Sequence, residues 1–368
     1  MKEPIICSIC GAILTQETAH EFEGHTMCGQ CLDEQTTICE CCNSRIWRDN
    51  AESDGDTTVC YGCYERFYCY CQDCGSLIHN DDVYYSEDSD SPYCESCYEQ
   101  LSKKSIKCYD YKPEPTFFGS GNLFYGVELE IDRGGEYGDN AEILLNIANC
   151  NDEHMYCKHD GSLGNGFEMV SHPMSLDYHS NNMNWVKIFN RAIAMGYRSH
   201  NTSTCGLHIH VNRSAFGDTY DKQEDTISRI VYFVEAHWNE LLKFSRRTEI
   251  NIKRWASRYG IDDTAKLTYD KAKKRNLGRY VAVNLSNYNT IEFRIFRGTL
   301  RYKTFIATLQ LVDEICKLAI MFDDKAFEGI SWSDFVAGIS KKNKPELIEY
   351  LKSKRLYVND EMTEMEEV

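Results

Sequence analysis

Three short segments interleave apolar residues with charged or metal-competent ones: Gly126-Val127-Glu128-Leu129-Glu130, Gly206-Leu207-His208-Ile209-His210 and Thr290-Ile291-Glu292-Phe293-Arg294-Ile295-Phe296-Arg297. In a β-strand successive side chains point to opposite faces. The alternation therefore predicts Val127, Leu129, Leu207, Ile209, Ile291, Phe293 and Ile295 on one face, and Glu128, Glu130, His208, His210, Glu292 and Arg294 on the other. Carboxylates are hard ligands for magnesium, which takes one or two of them together with phosphate oxygens. Arginine matches phosphate in a bidentate fork. The inventory suits a divalent metal plus phosphate, and it points to an enzyme. Singly, each strand could be an amphipathic strand with a solvated face; their shared parity carries the reading.

Between the first two strands lie Lys158-His159-Asp160-Gly161-Ser162-Leu163 and Gly166-Phe167-Glu168-Met169-Val170-Ser171-His172-Pro173. Glu168 alternates with Phe167 and Met169, so it joins the polar face. From Lys243 to Lys303 there are 16 Lys/Arg against five Asp/Glu, a net of +11. Lys271, Lys273 and Lys274 read as a solvated helix surface. Arg275 and Arg279 precede a strand beside the Glu292 segment and are candidate triphosphate contacts.

The elements that must position these groups are strands at 123–131, 166–171, 206–212, 279–286 and 290–297. Helical periodicity appears at 140–149, 181–195, 223–244, 302–320 and 344–354, the last with Pro345 in its first turn. This mixture predicts an α+β fold, a sheet with helices on one face. Pro113 and Pro115 disfavour regular structure, so 105–118 is expected to be a linker, 119–356 a domain and 357–368 an acidic tail.

The chain has nineteen cysteines, most of them in its N-terminal part. Cys-x-x-Cys pairs fall at Cys7/Cys10, Cys28/Cys31, Cys39/Cys42, Cys60/Cys63, Cys71/Cys74 and Cys94/Cys97, and the first four positions recur after a shift of 32 residues. The spacing predicts three tandem four-thiolate zinc modules, at about 5–34, 37–66 and 69–101, of the treble-clef or LIM-like class. A 32-residue unit buries too little apolar surface to fold unaided, and a structural zinc supplies about 10–16 kcal/mol. Pairing is expected to be sequential within each unit, with a cross-braced arrangement as the alternative. His20, His25 and His79 are substitute ligands that the units do not need. Cys41, Cys69, Cys108, Cys150, Cys157, Cys205 and Cys316 follow no ligand spacing and read as buried or free thiols.

The net charge of −17 is concentrated there: residues 1–110 hold 21 Asp/Glu and 7 Lys/Arg, a net of −14. Such modules repel a nucleic-acid backbone, so a protein partner is expected. No apolar run approaches the roughly 18 residues of a membrane span, and residues 1–20 lack the pattern of a signal peptide. The expected location is the cytoplasm.

Gly126-Val-Glu-Leu-Glu130, Asp160-Gly-Ser-Leu163, Glu168-Met-Val-Ser171, Cys205-Gly-Leu-His-Ile-His210 and Glu292-Phe-Arg294, in that order, resemble the amidoligase family. That family is similar to glutamine synthetase and glutamate–cysteine ligase, so the resemblance implies a glutamine-synthetase-like antiparallel or mixed sheet. It also implies ATP-dependent amide formation through an acyl phosphate. By analogy Glu130 and Glu168 hold one magnesium, and Glu128, His208 and Glu292 another. Arg279 and Arg294 steady the transferring phosphate, His210 touches nucleotide phosphate, and Asp160 orients the amine or carboxylate. Arg275 and Arg297 complete the expected nucleotide contacts. His159 and His172 sit inside motifs where the family resemblance implies no histidine. The competing reading is a zinc-module adaptor carrying a non-catalytic ligase-like domain.

Overall fold

The computed structural model describes residues 4–86, 89–103, 105–275 and 278–357, so the acidic tail from 358 onward lies outside the described residues. The chain forms two compact units, Met1–Lys104 and Ser105–Val368.

In the first unit one local plan occurs three times: a Cys-x-x-Cys turn, paired strands, and a short helix carrying the second cysteine pair. The helices are Gly29–Gln35, Tyr61–Phe67 and Glu95–Lys103. Cys28 and Cys60 are the N-caps of the first two, and Cys31, Cys63 and Cys97 are buried in the first turns. The residue after each first pair turns left-handed: Gly11 at φ +77°, Asn43 at +57° and Gly75 at +74°. Its N–H returns to the carbonyl of the first cysteine at 2.9, 2.8 and 3.0 Å. Glycine and asparagine are the residues that visit this region readily, so the 32-residue period extends to the backbone.

Cys7, Cys10, Cys28 and Cys31 form one group, Cys39, Cys42, Cys60 and Cys63 a second, and Cys71, Cys74, Cys94 and Cys97 a third, each with donor atoms within 4.8 Å of one another. Pairing is thus sequential. Cys10–Cys28, Cys42–Cys60 and Cys74–Cys94 have Sγ–Sγ distances of 3.9, 4.0 and 3.8 Å. Zinc–sulfur bonds of about 2.3 Å give a tetrahedron with edges of about 3.8 Å. Backbone amides support the thiolate forms: Cys28 N–H reaches Cys7 Sγ at 3.3 Å, and amide hydrogen bonds from Cys10 and Cys28 hold the Cys7 thiol down to about 6. The donor set fits zinc. His20, His25 and His79 belong to none of the three groups; His25 packs edge-on against Trp47 and His79 stacks on Phe67.

The second unit is built on a seven-stranded sheet: β1 (Ile106–Lys107), β2 (Tyr125–Ile131), β3 (Met155–Lys158), β4 (Phe167–Ser171), β5 (Gly206–Asn212), β6 (Val283–Asn284) and β7 (Thr290–Arg297). The order is β1-β3-β4-β2-β5-β7-β6, antiparallel throughout except for the parallel pair β1–β3. The apolar face of the sheet, with Val127, Leu129, Leu207, Ile209, Ile291 and Phe293 fully buried, shares one core with the helices α1 (Trp185–Ala194), α2 (Tyr220–Ala236), α3 (Trp238–Ser245), α4 (Tyr302–Met321) and α5 (Pro345–Ser353). Trp185 meets Phe305 at 4.6 Å between ring centroids. Tyr125, on the same face, donates its hydroxyl to Asp313 of α4 at 2.7 Å. This is the expected α+β, mixed-sheet architecture. Among the described residues no helix is long and apolar enough to cross a membrane.

Several elements depart from expectation for local reasons. The expected helix 223–244 breaks at His237, whose Nε2–H donates to the Ile330 carbonyl at 3.1 Å. The strand expected at 279–286 shrinks to two residues, Val283 and Asn284, which pair with β7, while the Ala282 carbonyl just before them accepts the Arg294 N–H at 2.8 Å. The expected linker 105–118 is no mere tether. Ile106–Lys107 is the edge strand β1 and Phe118 is buried in the core, while the prolines keep only the stretch between them irregular.

Two measurements follow. Metal analysis of the purified chain should give three zinc ions per molecule, and Cys39→Ser with Cys42→Ser should give two. His179 is fully buried against Trp185 and donates Nε2–H to the Tyr125 carbonyl at 2.8 Å. Burial drives its pKa down to about 4. The unfolded chain therefore binds the proton first as pH falls, so stability is full above about 6.5 and is lost between about 6.5 and 4, by about 3 kcal/mol. Urea unfolding across this range should show a flatter pH dependence for His179→Gln, and equal slopes would contradict the assignment.

Candidate functional site

Sheet register assembles the polar face. Lys158 of β3 opposes Glu168 of β4, which opposes Glu130 of β2. Glu128 opposes His208 of β5, and Gly126 opposes His210. His210 in turn opposes Glu292 of β7, which opposes Asn284 of β6. Opposed residues share a face with Cβ atoms about 4.5–5.5 Å apart, so three adjacent rows of functional side chains result. They floor a cavity of about 340 Å³. Glu128, Glu130, Asp160, Glu168, His208, His210, Arg279, Glu292 and Arg294 all line it.

Glu128 is the hub. Its carboxylate lies 3.3 Å from His208 Nδ1 and 3.1 Å from His210 Nε2. His208 Nδ1 is also 3.6 Å from Glu292, and its Nε2 is 3.8 Å from Glu130. Clusters with metal-ligating reach include Glu128–His210–Glu292 and Glu128–Glu168–His208. Glu128 is thus common to both, which differs from the grouping the family resemblance implies, and His210 stands among the carboxylates. His210 Nε2 and Arg294 Nε are buried with no hydrogen-bond partner; the imidazole is close to Glu128 but misaligned for a bond. An open imidazole nitrogen among carboxylates fits a divalent cation, and an unused guanidinium N–H fits an anion beside it.

The electrostatics divide the carboxylates. For Glu128 burial raises the pKa, but His210 and His208 outweigh it and hold it well below the usual carboxylate range. Glu292 is lowered too, burial being outweighed by His210 and by its ion pair with Arg294. Glu168 goes well above the usual range, by burial first and then by Glu128, although Lys158 Nζ lies 3.3 Å away. Glu130 is raised by burial, against the N–H of Gly206. Asn284 donates to Glu292 at 2.8 Å and fixes its orientation.

Two loops finish the site. Asp132 accepts N–H bonds from Arg133, Gly164 and Asn165 at 2.7, 3.1 and 2.7 Å and the Thr204 hydroxyl at 2.9 Å. It thereby ties the Asp160 loop to the end of β2. A Cβ at Gly206 would come within 2.6 Å of His208 Nε2 and 2.7 Å of Arg247 Nη2, so a side chain there would displace both groups.

Arg297 corrects an expectation. A β-bulge leaves both Arg294 and Ile295 opposite His208, and parity is broken beyond it. The Arg297 guanidinium turns to the carbonyls of Thr202 and Arg246, away from the cavity. Arg247 takes the place instead, gripping the Phe296 carbonyl through Nε and Nη2, with burial pushing its pKa down to about 10. The Arg275 side chain lies outside the described residues. Sequence reasoning also assigned no role to Lys158, Asn284 or the cavity-lining Tyr109. The first two sit in strands of four and two residues, too short for periodicity to register. Arg247 follows a helix and carries no strand signal at all. His159 pairs with Glu136 at 2.6 Å, and His172 Nδ1 accepts the Thr116 N–H at 3.2 Å, so both support loops.

Compared with known families, residues 146–316 match the family model described as "Putative amidoligase enzyme". The match takes in Asp160, Glu168, His208, His210, Arg247, Glu292 and Arg294; it leaves out β2 with Glu128 and Glu130, and the cysteine-rich unit. No curated protein matches the chain. The second unit thus contains a segment, residues 146–316, that is similar to amidoligases.

Magnesium should raise the unfolding temperature of the zinc-loaded protein, since a ligand at a hundred times its Kd adds about 2.7 kcal/mol. Glu128→Gln should abolish that increment because both clusters use its carboxylate. Arg297→Gln should lower the baseline temperature and keep the increment.

Proposed function

We propose that the second unit is an ATP- and magnesium-dependent carboxylate–amine ligase, working through an acyl phosphate. The observation that supports this best is one sheet face carrying Glu128, Glu130, Glu168, His208, His210 and Glu292, with Arg247, Arg279 and Arg294 around the same cavity. Acid residues for cations adjoin guanidinium groups for phosphoryl oxygens, which is the pairing phosphoryl transfer requires.

Glu128, Glu168, His208, His210 and Glu292 would hold magnesium, with Glu130 beside them; the bound cation would neutralise charge on the phosphates. Arg294 and Arg247 would meet the transferring phosphoryl group, and Arg279 at the rim the rest of the nucleotide. Asp160, held by the turn in which it accepts the Ser162 N–H at 2.7 Å, would orient the incoming amine. In the reaction, ATP phosphorylates a substrate carboxylate and releases ADP. The amine attacks the acyl carbon, phosphate leaves, and one proton is lost from nitrogen. No protein nucleophile is required; positioning and charge stabilisation do the catalysis. The acidic zinc modules would recruit a protein or peptide substrate, and the cytoplasm, where thiols stay reduced, suits them.

The test is phosphate release from magnesium–ATP over pools of amino acids, polyamines and peptides, with mass spectrometry of the products. The expected result is turnover that depends on a particular acid–amine pair and a product lighter than their sum by one water. Glu128→Gln should lower turnover by about 10²-fold or more with the fold retained. Full turnover by that variant would overturn the assigned site, and absence of ATP binding by the intact protein would overturn the reading.

A further inference from the structure

A second cavity of about 300 Å³ lies in the same unit, lined by Arg246, Arg301, Lys354, His200, Thr299 and Tyr350 among others. Its two carboxylates are already engaged: Glu349 by Lys303 at 2.9 Å and Glu346 by the Gln310 amide at 2.8 Å. Among the described residues no carboxylate lies within ion-pairing distance of Arg246, Arg301 or Lys354. Arg246 spends one N–H on the Arg297 carbonyl at 2.6 Å, while its Nε is buried without a partner. The cations also feel one another: burial and then Arg246 lower the Lys354 pKa, and burial followed by Arg246 and Arg297 lowers that of His200. The cavity therefore holds an excess of positive charge, with Arg246 the partly buried member and Arg301 at its exposed edge.

The same cavity receives the start of α4, a helix of 20 residues whose N-cap, Arg301, makes no side-chain capping bond. The free N–H groups of a first turn and the helix dipole favour an oxyanion. Arg246 is held at φ +65°, a left-handed conformation uncommon outside glycine. This sends Arg246 and Arg247 to different cavities, gripping the successive carbonyls of Arg297 and Phe296.

We propose that this second cavity is a binding site for a phosphate-bearing small molecule, separate from the ligase pocket. Arg246 and Arg301 supply planar donors, Lys354 a point charge, and the α4 N-terminus backbone donors. The volume is at the small end of ligand pockets, which suits orthophosphate or a compact phosphate monoester. Because Arg246 and Arg247 are adjacent, an anion on one side bears on the guanidinium of the other.

The experiment is calorimetric titration of the full-length, zinc-loaded protein with orthophosphate, and separately with glycerol phosphate, without ATP or magnesium. Saturable binding is expected, with Arg301→Glu and Lys354→Glu each weakening it by about tenfold or more. Arg279→Ala, in the ligase pocket, should leave this binding in place. Both charge reversals affect side chains without ion-pair partners, so zinc content and circular dichroism should match the wild type. Tighter glycerol phosphate binding would identify an ester as the ligand, and tighter orthophosphate binding the free ion. Unchanged affinity in both charge-reversed variants, or no saturation in the wild type, overturns the proposal. Since the readout is binding in the absence of ATP, a protein without ligase turnover would still decide it.

Discussion

The second unit is organised around an unfavourable pairing: Glu130 stands directly opposite Glu168 on neighbouring strands, both buried. Like charges in opposed positions destabilise a sheet, and burial adds the cost of desolvation. A core built for stability alone would place apolar residues there. What holds the arrangement is its surroundings. Lys158 is set beside Glu168 by the same cross-strand row, Gly206 N–H and Arg247 face Glu130, and His208 lies within 4 Å of Glu128, Glu130 and Glu292. The opposite face of the same strands compensates, with Val127, Leu129, Ile131, Leu207 and Ile209 fully buried against the helices. The apolar core lies on one side of the sheet and the cluster of titratable side chains on the other, joined by an alternation that one residue of slippage would invert.

The bulge in β7 resolves a second conflict. A regular strand would carry Phe296 to the polar side and leave a large ring in the ligand cavity. With Arg294 and Ile295 together opposite His208, Phe296 returns to the apolar side, next to Phe244, while Arg294 stays over the carboxylates. The extra residue thus re-aims the strand end without disturbing Glu292. Arg247 reaches the Phe296 carbonyl beyond the bulge from the loop after α3, and a Cβ at Gly206 would crowd its guanidinium. Arg297 is left as a bracket for the loops at Thr202 and Arg246.

These two features mark how far the sequence is legible. Period-two alternation over seven or eight residues specifies β2, β5 and β7 and, as far as the bulge in β7, the face each side chain takes, because regular pleating has no other outcome. The 32-residue cysteine period specifies the thiolate groups, because tetrahedral metal binding needs two turns of that form. Lys158, Asn284 and Arg247 lie beyond both rules. The first two occupy strands too short to show a period, and the third reaches the cavity only through tertiary packing. The segment 105–118 misleads for a related reason: prolines forbid regular structure locally, yet two residues of parallel pairing at Ile106–Lys107 suffice to fix the segment to the sheet. The bulge itself leaves no local mark, since Ile295-Phe296 reads equally well in either register.

The first unit solves the folding problem by a different route. Its buried apolar clusters are tiny and consist largely of the ligand thiols: Cys7, Met27 and Cys31 in one, Cys39, Val59, Cys63 and Leu77 in the next, Cys71, Ile78 and Cys97 in the third. Without metal these would be small clusters of thiols around very few hydrophobic side chains, too few to offset chain entropy. The modules also lean on one another. Trp47 of the second packs on Phe22 of the first and donates its indole N–H to Glu23 at 2.7 Å. Leu77 of the third enters the cluster of the second, and its N–H is accepted by Asp54 at 2.6 Å. A zinc in each thiolate group would therefore order its own turns and also the surface on which the next module rests. This is the nearest-neighbour logic of a repeat array, with metal coordination in the role that a hydrophobic core has in the sheet unit. The same dependence bears on the acidity of the array: four thiolates would add negative charge to each module, and a bound dication would offset half of that added charge.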